Sequence, residues 1–179
     1  MAKKQNSATI DSRYVWGVGR IVLGFYFVWA FFDKLIGLGF STCRDAAAGV
    51  VSVGCEQAWL SGGSPTSGYL GSLDGTFAAL FTPLAGNVVA DWLFMLGLLG
   101  IGAALMFGVG MRVAAATGSL LLFSMYVSAL PLSTNPLVDS HIIYIILLVG
   151  LLAVNKDQKL GLGSWWADRS FVKKYPVLR

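Results

Sequence analysis

Charge is scarce in this chain. Only 12% of its 179 residues are Asp, Glu, Lys or Arg, about half the roughly 25% of a soluble domain. So little charge excludes an ordinary water-soluble globular protein. Histidine occurs once and cysteine twice. A single histidine excludes a transmembrane electron carrier of the bis-histidine haem type. No CxxC spacing is present to poise a thiolate. The sequence also lacks a metal-ligand cluster, a phosphate-cradling glycine loop in a strand–helix context, and a nucleophile triad.

Apolar residues are abundant. They make up 56% of the chain, and the mean hydropathy is +0.70. The stretch 92–110, WLFMLGLLGIGAALMFGVG, carries no charge. About 20 apolar residues at ~1.5 Å rise cross a ~30 Å hydrocarbon core. Four such stretches are predicted, at about 14–40, 92–110, 113–131 and 136–154. The expected fold is all-α: an integral membrane four-helix bundle forming one domain over 1–179. Twenty-two glycines suit close helix approach, and Gly100, Ala104 and Gly108 form a small-residue stripe. Asn135 is the expected N-cap of the fourth span, with Pro136 in its first turn. Spans two and three are expected to form a tight hairpin, punctuated by Gly108 and Gly110, with Arg112 opening the third.

Basic residues set the orientation. Eleven of the thirteen lie on one side: Lys3, Lys4, Arg13 and Arg20 near the start, Arg112 in a turn, and six in the tail 155–179. Only Lys34 and Arg44 fall toward the other side, together with Asp33, Asp45, Glu56, Asp74, Asp91 and Asp139. The positive-inside rule then places both termini in the cytoplasm, the chain in the inner cell membrane, and the loop 41–90 outside. The first span reads as a retained helix, because it is too long for an ordinary signal-peptide core and is interrupted by Asp33 and Lys34. The basic tail beside Trp165 and Trp166 calls for anionic membrane lipid and requires no nucleic acid.

The outer loop is too long to be structureless. Within it, 75–86 is apolar but too short to span, and reads as a re-entrant or interfacial cap. Cys43 and Cys55 both lie in this loop, where a disulfide is expected. A structural staple and a redox-active dithiol are the two readings, and the missing CxxC favours the staple.

Intramembrane ionisable groups are the candidate functional residues. Arg20 lies about six residues into span one, where it either snorkels to the headgroups or contributes to a ligand site. Arg20 and Lys34 are fourteen apart and return to nearly one face, with Phe27 and Phe31. That face is expected to line the bundle interior with Lys34 at its outer mouth. Asp33 points ~100° away from Lys34. His141 is expected one or two turns into the fourth helix, as a proton donor or acceptor. Asp139 would face away from it in a regular helix, so the carboxylate partner is expected to be Asp33 or Asp91. Asp91 is otherwise a cap of the second span. A flat ligand has aromatic company in Phe27, Phe31 and Tyr144.

Several segments resemble the DoxX/DoxD family of small membrane proteins. They are Arg20 followed by LGFYFVWAFFDKLIGLGF, WLSGGSPTSGYL at 59–70, FAALFTPLAGNVVADWLFMLGLLGIGAAL, and NPLVDSHIIY followed by LGLGSWW. The DoxD branch is similar to the membrane subunit of thiosulfate:quinone oxidoreductase. The resemblance implies a four-helix bundle in a redox or quinone context. The expected function is a membrane subunit of a quinone-linked oxidoreductase acting on a reduced sulfur compound. His141, Lys34 and Asp33 would serve proton movement, and Arg20, Phe27, Phe31, Asp91 and Tyr144 would bind quinone. A partner redox subunit or a homo-oligomer is implied, because the chain shows no electron relay; haem and metal are not expected. The alternatives are a non-catalytic scaffold for soluble redox or sulfur-transfer proteins, and a carrier for a small lipophilic solute.

Overall fold

The computed structural model describes residues 11–45, 47–133, 135–155 and 159–179. Lys3, Lys4 and Lys156, which contribute to the orientation argument, lie outside these residues. The described chain is mostly helical. α1 (Ser12–Phe32) runs on into a π-helical turn, Asp33–Gly37. A two-residue hairpin, β1 (Arg44–Asp45) and β2 (Val50–Val51), and two one-turn helices, α2 (Ser67–Leu70) and α3 (Ala78–Phe81), occupy the outer loop. Then follow α4 (Val88–Phe107), α5 (Met111–Ser128), α6 (Ser140–Ala153), and the short α7 (Gly163–Ala167) and α8 (Ser170–Lys174).

Three helical segments, Ser12–Gly37, Val88–Phe107 and Met111–Ser128, are long and apolar enough to cross a membrane, whereas α6 is apolar but shorter. Their outer faces are oily: Val22, Phe25, Leu93, Leu96, Leu120 and Phe123 are more than half exposed. Apolar side chains on both faces of a helix have a solvent match in lipid and none in water. The chain is therefore a membrane protein.

Packing follows small residues. α1 meets α4 where Gly24 faces Gly102: a Cβ on Gly102 would lie 2.9 Å from the Val28 amide nitrogen and 3.0 Å from the Gly24 carbonyl oxygen. The stripe Gly100–Ala104–Gly108 is not the contact face. A Cβ at Gly100 would meet nothing within 4 Å, and Gly108 faces the Arg20 guanidinium instead. Leu23, Phe27, Met95, Leu98, Leu105 and Leu122 fill the core, with Leu148 and Leu151 joining from α6. The α4–α5 hairpin turns through Gly108 and Gly110, both left-handed, as glycine allows.

Several boundaries move for local reasons. The N-cap of α4 is Asn87, which accepts from the amides of Val89 and Ala90, so the helix starts four residues before Trp92 and Asp91 is not its cap. Asn135 accepts from the amides of Leu137 and Val138, but this bends the chain and starts no long helix. The cap of α6 is Asp139, which places His141 in the first turn. α5 stops at Ser128, short of Pro131, because a residue preceding proline is driven out of the α region.

The outer loop is folded. The disulfide Cys43–Cys55 is present and closes the β1–β2 hairpin. Trp59 meets Trp92 edge-on at 4.8 Å, and the Tyr69 hydroxyl lies 2.8 Å from Ser128 Oγ at the end of α5. The segment 75–86 forms α3 and a 3-10 turn, with Leu80 and Leu84 exposed.

The start of α1 and the tail meet at the opposite end, where Lys159 donates its amide to the Arg13 carbonyl at 3.4 Å. Leu162 donates its amide to the Phe107 carbonyl at 2.8 Å, and Arg112 donates its amide to the Arg179 carbonyl at 2.9 Å. The start of α1, the α4–α5 turn and the tail therefore share one end of the molecule, and the disulfide-bearing loop takes the other.

Candidate functional site

The polar residues of α1 are divided between two ends by the length of the helix. Arg20 is 2% exposed and does not snorkel. Its guanidinium donates to the carbonyls of Leu105 at 2.6 Å, Met106 at 3.4 Å and Leu160. Those first two carbonyls belong to the last turn of α4, which has no further turn to donate amides to them and carries partial negative charge. Arg20 thus joins α1, α4 and the tail at the end away from His141.

Asp33 is 1% exposed in the π turn. It accepts from the Phe40 amide at 3.0 Å, the Ser41 amide at 2.8 Å, the Ser41 hydroxyl at 2.7 Å and the Thr42 amide at 3.0 Å. Its carboxylate is occupied in folding the chain back after α1, and it pairs with neither His141 nor Lys34. Asp33→Ala would strand these donors, and each unpaired buried donor costs about 1–3 kcal/mol. The expected loss is about 3 kcal/mol in unfolding experiments in detergent micelles. A loss under about 1 kcal/mol would show that water replaces the carboxylate there.

Asp91, in the first turn of α4, is likewise a tie. It accepts from Ser64 Oγ at 2.8 Å, the Thr66 amide at 3.1 Å and Thr66 Oγ1 at 2.6 Å. The Ser–Pro–Thr run at 64–66 therefore secures the outer loop to α4. The sequence signal was its turn composition, which marks a bend but not the carboxylate it will meet.

Lys34 and His141 have a different setting. Lys34 Nζ donates to Ser41 Oγ at 3.2 Å and lies 5.9 Å from the centre of the Phe94 ring. His141 Nδ1 is 2.5 Å from Asp139 Oδ2. This corrects the expectation that Asp139 faces away. Asp139 is extended, at φ −127° and ψ −174°, so the 100° helical rotation does not apply to it. The carboxylate beside His141 is therefore Asp139, and neither Asp33 nor Asp91 as expected; for Lys34 no ion pair is present among the described residues.

Both side chains line one groove of about 1870 Å³. Its wall is apolar along α4 and α5, through Gly97, Ile101, Ala104, Ala114 and Leu121, and it ends beside Trp166 and Leu178. Its end beside the disulfide-bearing loop carries Lys34, His141, Ser41, Thr66, Tyr69 and Ser128. Gly97 and Gly100 keep the wall open, since a Cβ at either would meet nothing within 4 Å.

Of the remaining candidates, Phe27 is buried in the core and packs edge-on against Tyr26, while Phe31 packs against Phe32. Tyr144 packs tilted against Tyr26, ring centres 5.1 Å apart, and Tyr26 itself reaches the groove. Lys34 and His141 are thus brought together on one groove. Arg20 is not, and Asp33 and Asp91 shape the loop that roofs the groove's outer end. No protein-family model, curated protein or solved structure matches the chain.

Proposed function

We propose that this chain is the membrane subunit of a quinone-linked oxidoreductase, and that the groove between α4 and α5 holds the quinone. The observation that carries this reading is the groove's asymmetry. A long apolar tract leads to one polar end whose lining includes Lys34 and His141. An isoprenoid quinone has the same division, a lipophilic tail and an oxygen-bearing head. The ammonium of Lys34 supplies donors to a head-group oxygen, and the imidazole of His141 exchanges a proton. The groove opens between apolar helices, the direction from which a membrane-dissolved ligand arrives.

In this reading the DoxX/DoxD resemblance supports the electron source, a reduced sulfur compound oxidised with a partner redox subunit or within a homo-oligomer. In this reading α1, α4, α5 and α6 form a bundle of four spans, the short α6 being extended by the chain at 136–139. The basic end lies in the cytoplasm, and the disulfide-bonded loop lies outside the inner membrane. The scaffold alternative calls for a filled interior, and the open groove argues against it. The groove's extent toward Trp166 favours a lipophilic carrier as the second reading.

The test is binding of decylubiquinone to the purified chain in lipid nanodiscs. Gly97→Leu, whose Cβ meets nothing within 4 Å and whose side chain extends into the groove, is expected to weaken binding at least tenfold and leave the helical content unchanged. Lys34→Met is expected to weaken it as well. Equal binding by Gly97→Leu would sink the groove assignment. Transfer of the probe between vesicles without any redox change would favour the carrier.

A further inference from the structure

We infer that Asp139 fixes His141 as a hydrogen-bond acceptor toward the groove, so that the polar end binds the hydroquinone in preference to the quinone. This rests on the quinone reading above for its ligand, but the geometry of the pair stands without it. Asp139 uses its two oxygens differently. Oδ1 receives the amides of His141 at 3.0 Å and Ile142 at 3.2 Å, capping α6. Oδ2 faces Nδ1 of the His141 ring. An ionised carboxylate only accepts, and a neutral imidazole carries one hydrogen. In the neutral ring that hydrogen is held on Nδ1, and Nε2 keeps a lone pair. No described residue hydrogen-bonds Nε2, and the ring lines the groove.

A lone pair at that place discriminates between redox forms. A hydroquinone offers a hydroxyl hydrogen to Nε2. A quinone offers only carbonyl lone pairs, which leaves two acceptors facing each other. Lys34 does not discriminate, because its ammonium donates to a hydroxyl oxygen and to a carbonyl oxygen alike. Binding that favours the reduced form makes the bound quinone a stronger oxidant, by linkage. This suits a site that takes electrons from a donor. Asp139 acts through the ring and is a positioning residue.

The chain's single histidine makes the test direct, because ¹⁵N-histidine labelling gives the ring signals of His141 alone. The wild-type ring is expected to be neutral with its hydrogen on Nδ1. Asp139→Asn keeps an oxygen for the cap, and asparagine caps as well as aspartate. Its amide, however, donates toward Nδ1 and should move the ring hydrogen to Nε2. In nanodiscs under anaerobic conditions, decylubiquinol is expected to bind wild type about tenfold more tightly than decylubiquinone, the worth of about one hydrogen bond. In Asp139→Asn the preference should be lost, because a hydrogen on Nε2 donates to a hydroxyl oxygen and to a carbonyl oxygen alike. Asp139→Ser retains a capping oxygen and removes the contact to the ring, so it should weaken the preference without placing the hydrogen on Nε2. The same tautomer in wild type and Asp139→Asn, or a doubly protonated ring in wild type, would overturn the role of Asp139. The expected tautomers with no binding of either probe would uphold the orientation and overturn the quinone reading together with the preference built on it.

Discussion

Replacing Gly102 by leucine is expected to separate α4 from α1 and to cost roughly 3 kcal/mol or more, the upper end for overpacking. The obstacle is backbone. The first added carbon would already lie 2.9 Å from the Val28 amide nitrogen and 3.0 Å from the Gly24 carbonyl. Side chains can change rotamer to admit a larger residue, whereas two helix backbones can only move apart. Separation also gives up contacts around Gly24, Leu98 and Leu105, and lipid tails supply no hydrophobic drive to restore them. Gly100→Leu is the control, since its Cβ meets nothing within 4 Å. It should lose under about 1 kcal/mol, as surface substitutions do. Unfolding midpoints in micelles decide the matter. Equal losses at Gly100 and Gly102 would show that the close approach is not what holds the pair.

Arg20→Ala is expected to cost about 3–5 kcal/mol, comparable to truncating other large buried side chains. It removes a side chain that is 2% exposed and leaves the carbonyls of Leu105, Met106 and Leu160 without their donor. Two of those carbonyls end α4, and the third belongs to the tail. The loss should therefore be accompanied by proteolytic cleavage of the tail beyond Leu160, at protease levels that leave wild type intact. Arg20→Lys is expected to fall between, because a point-like ammonium cannot span α4 and the tail as the planar guanidinium does. A variant Arg20→Ala with wild-type stability and a protected tail would show that the guanidinium is an incidental occupant.

The contrast between Arg20 and His141 shows where sequence reasoning reaches its limit. Both are intramembrane polar groups by their place in an apolar run, and that much is legible residue by residue. The partners are not. Arg20 finds carbonyls 85, 86 and 140 positions away, which no local pattern encodes. His141 finds Asp139 two residues back, a pairing the helical period forbids. It arises because Asp139 adopts extended backbone to cap α6. The groove was likewise illegible, because it depends on which glycines touch a neighbour and which do not. Gly100 and Gly102 look alike in sequence, yet one leaves open space and the other receives α1.

By itself the sequence determined the membrane character, the apolar helices and the pairing of the two cysteines, because these follow from composition, run length and the count of thiols. Hydrophobicity acts over a segment's own residues and needs no knowledge of its neighbours. Tertiary structure alone decided which carboxylates became ties, which glycines became contacts, and that Lys34 and His141 share a groove. Those outcomes turn on crossing positions and on the few residues outside regular helix, where a shift of one residue redirects a side chain by about 100°.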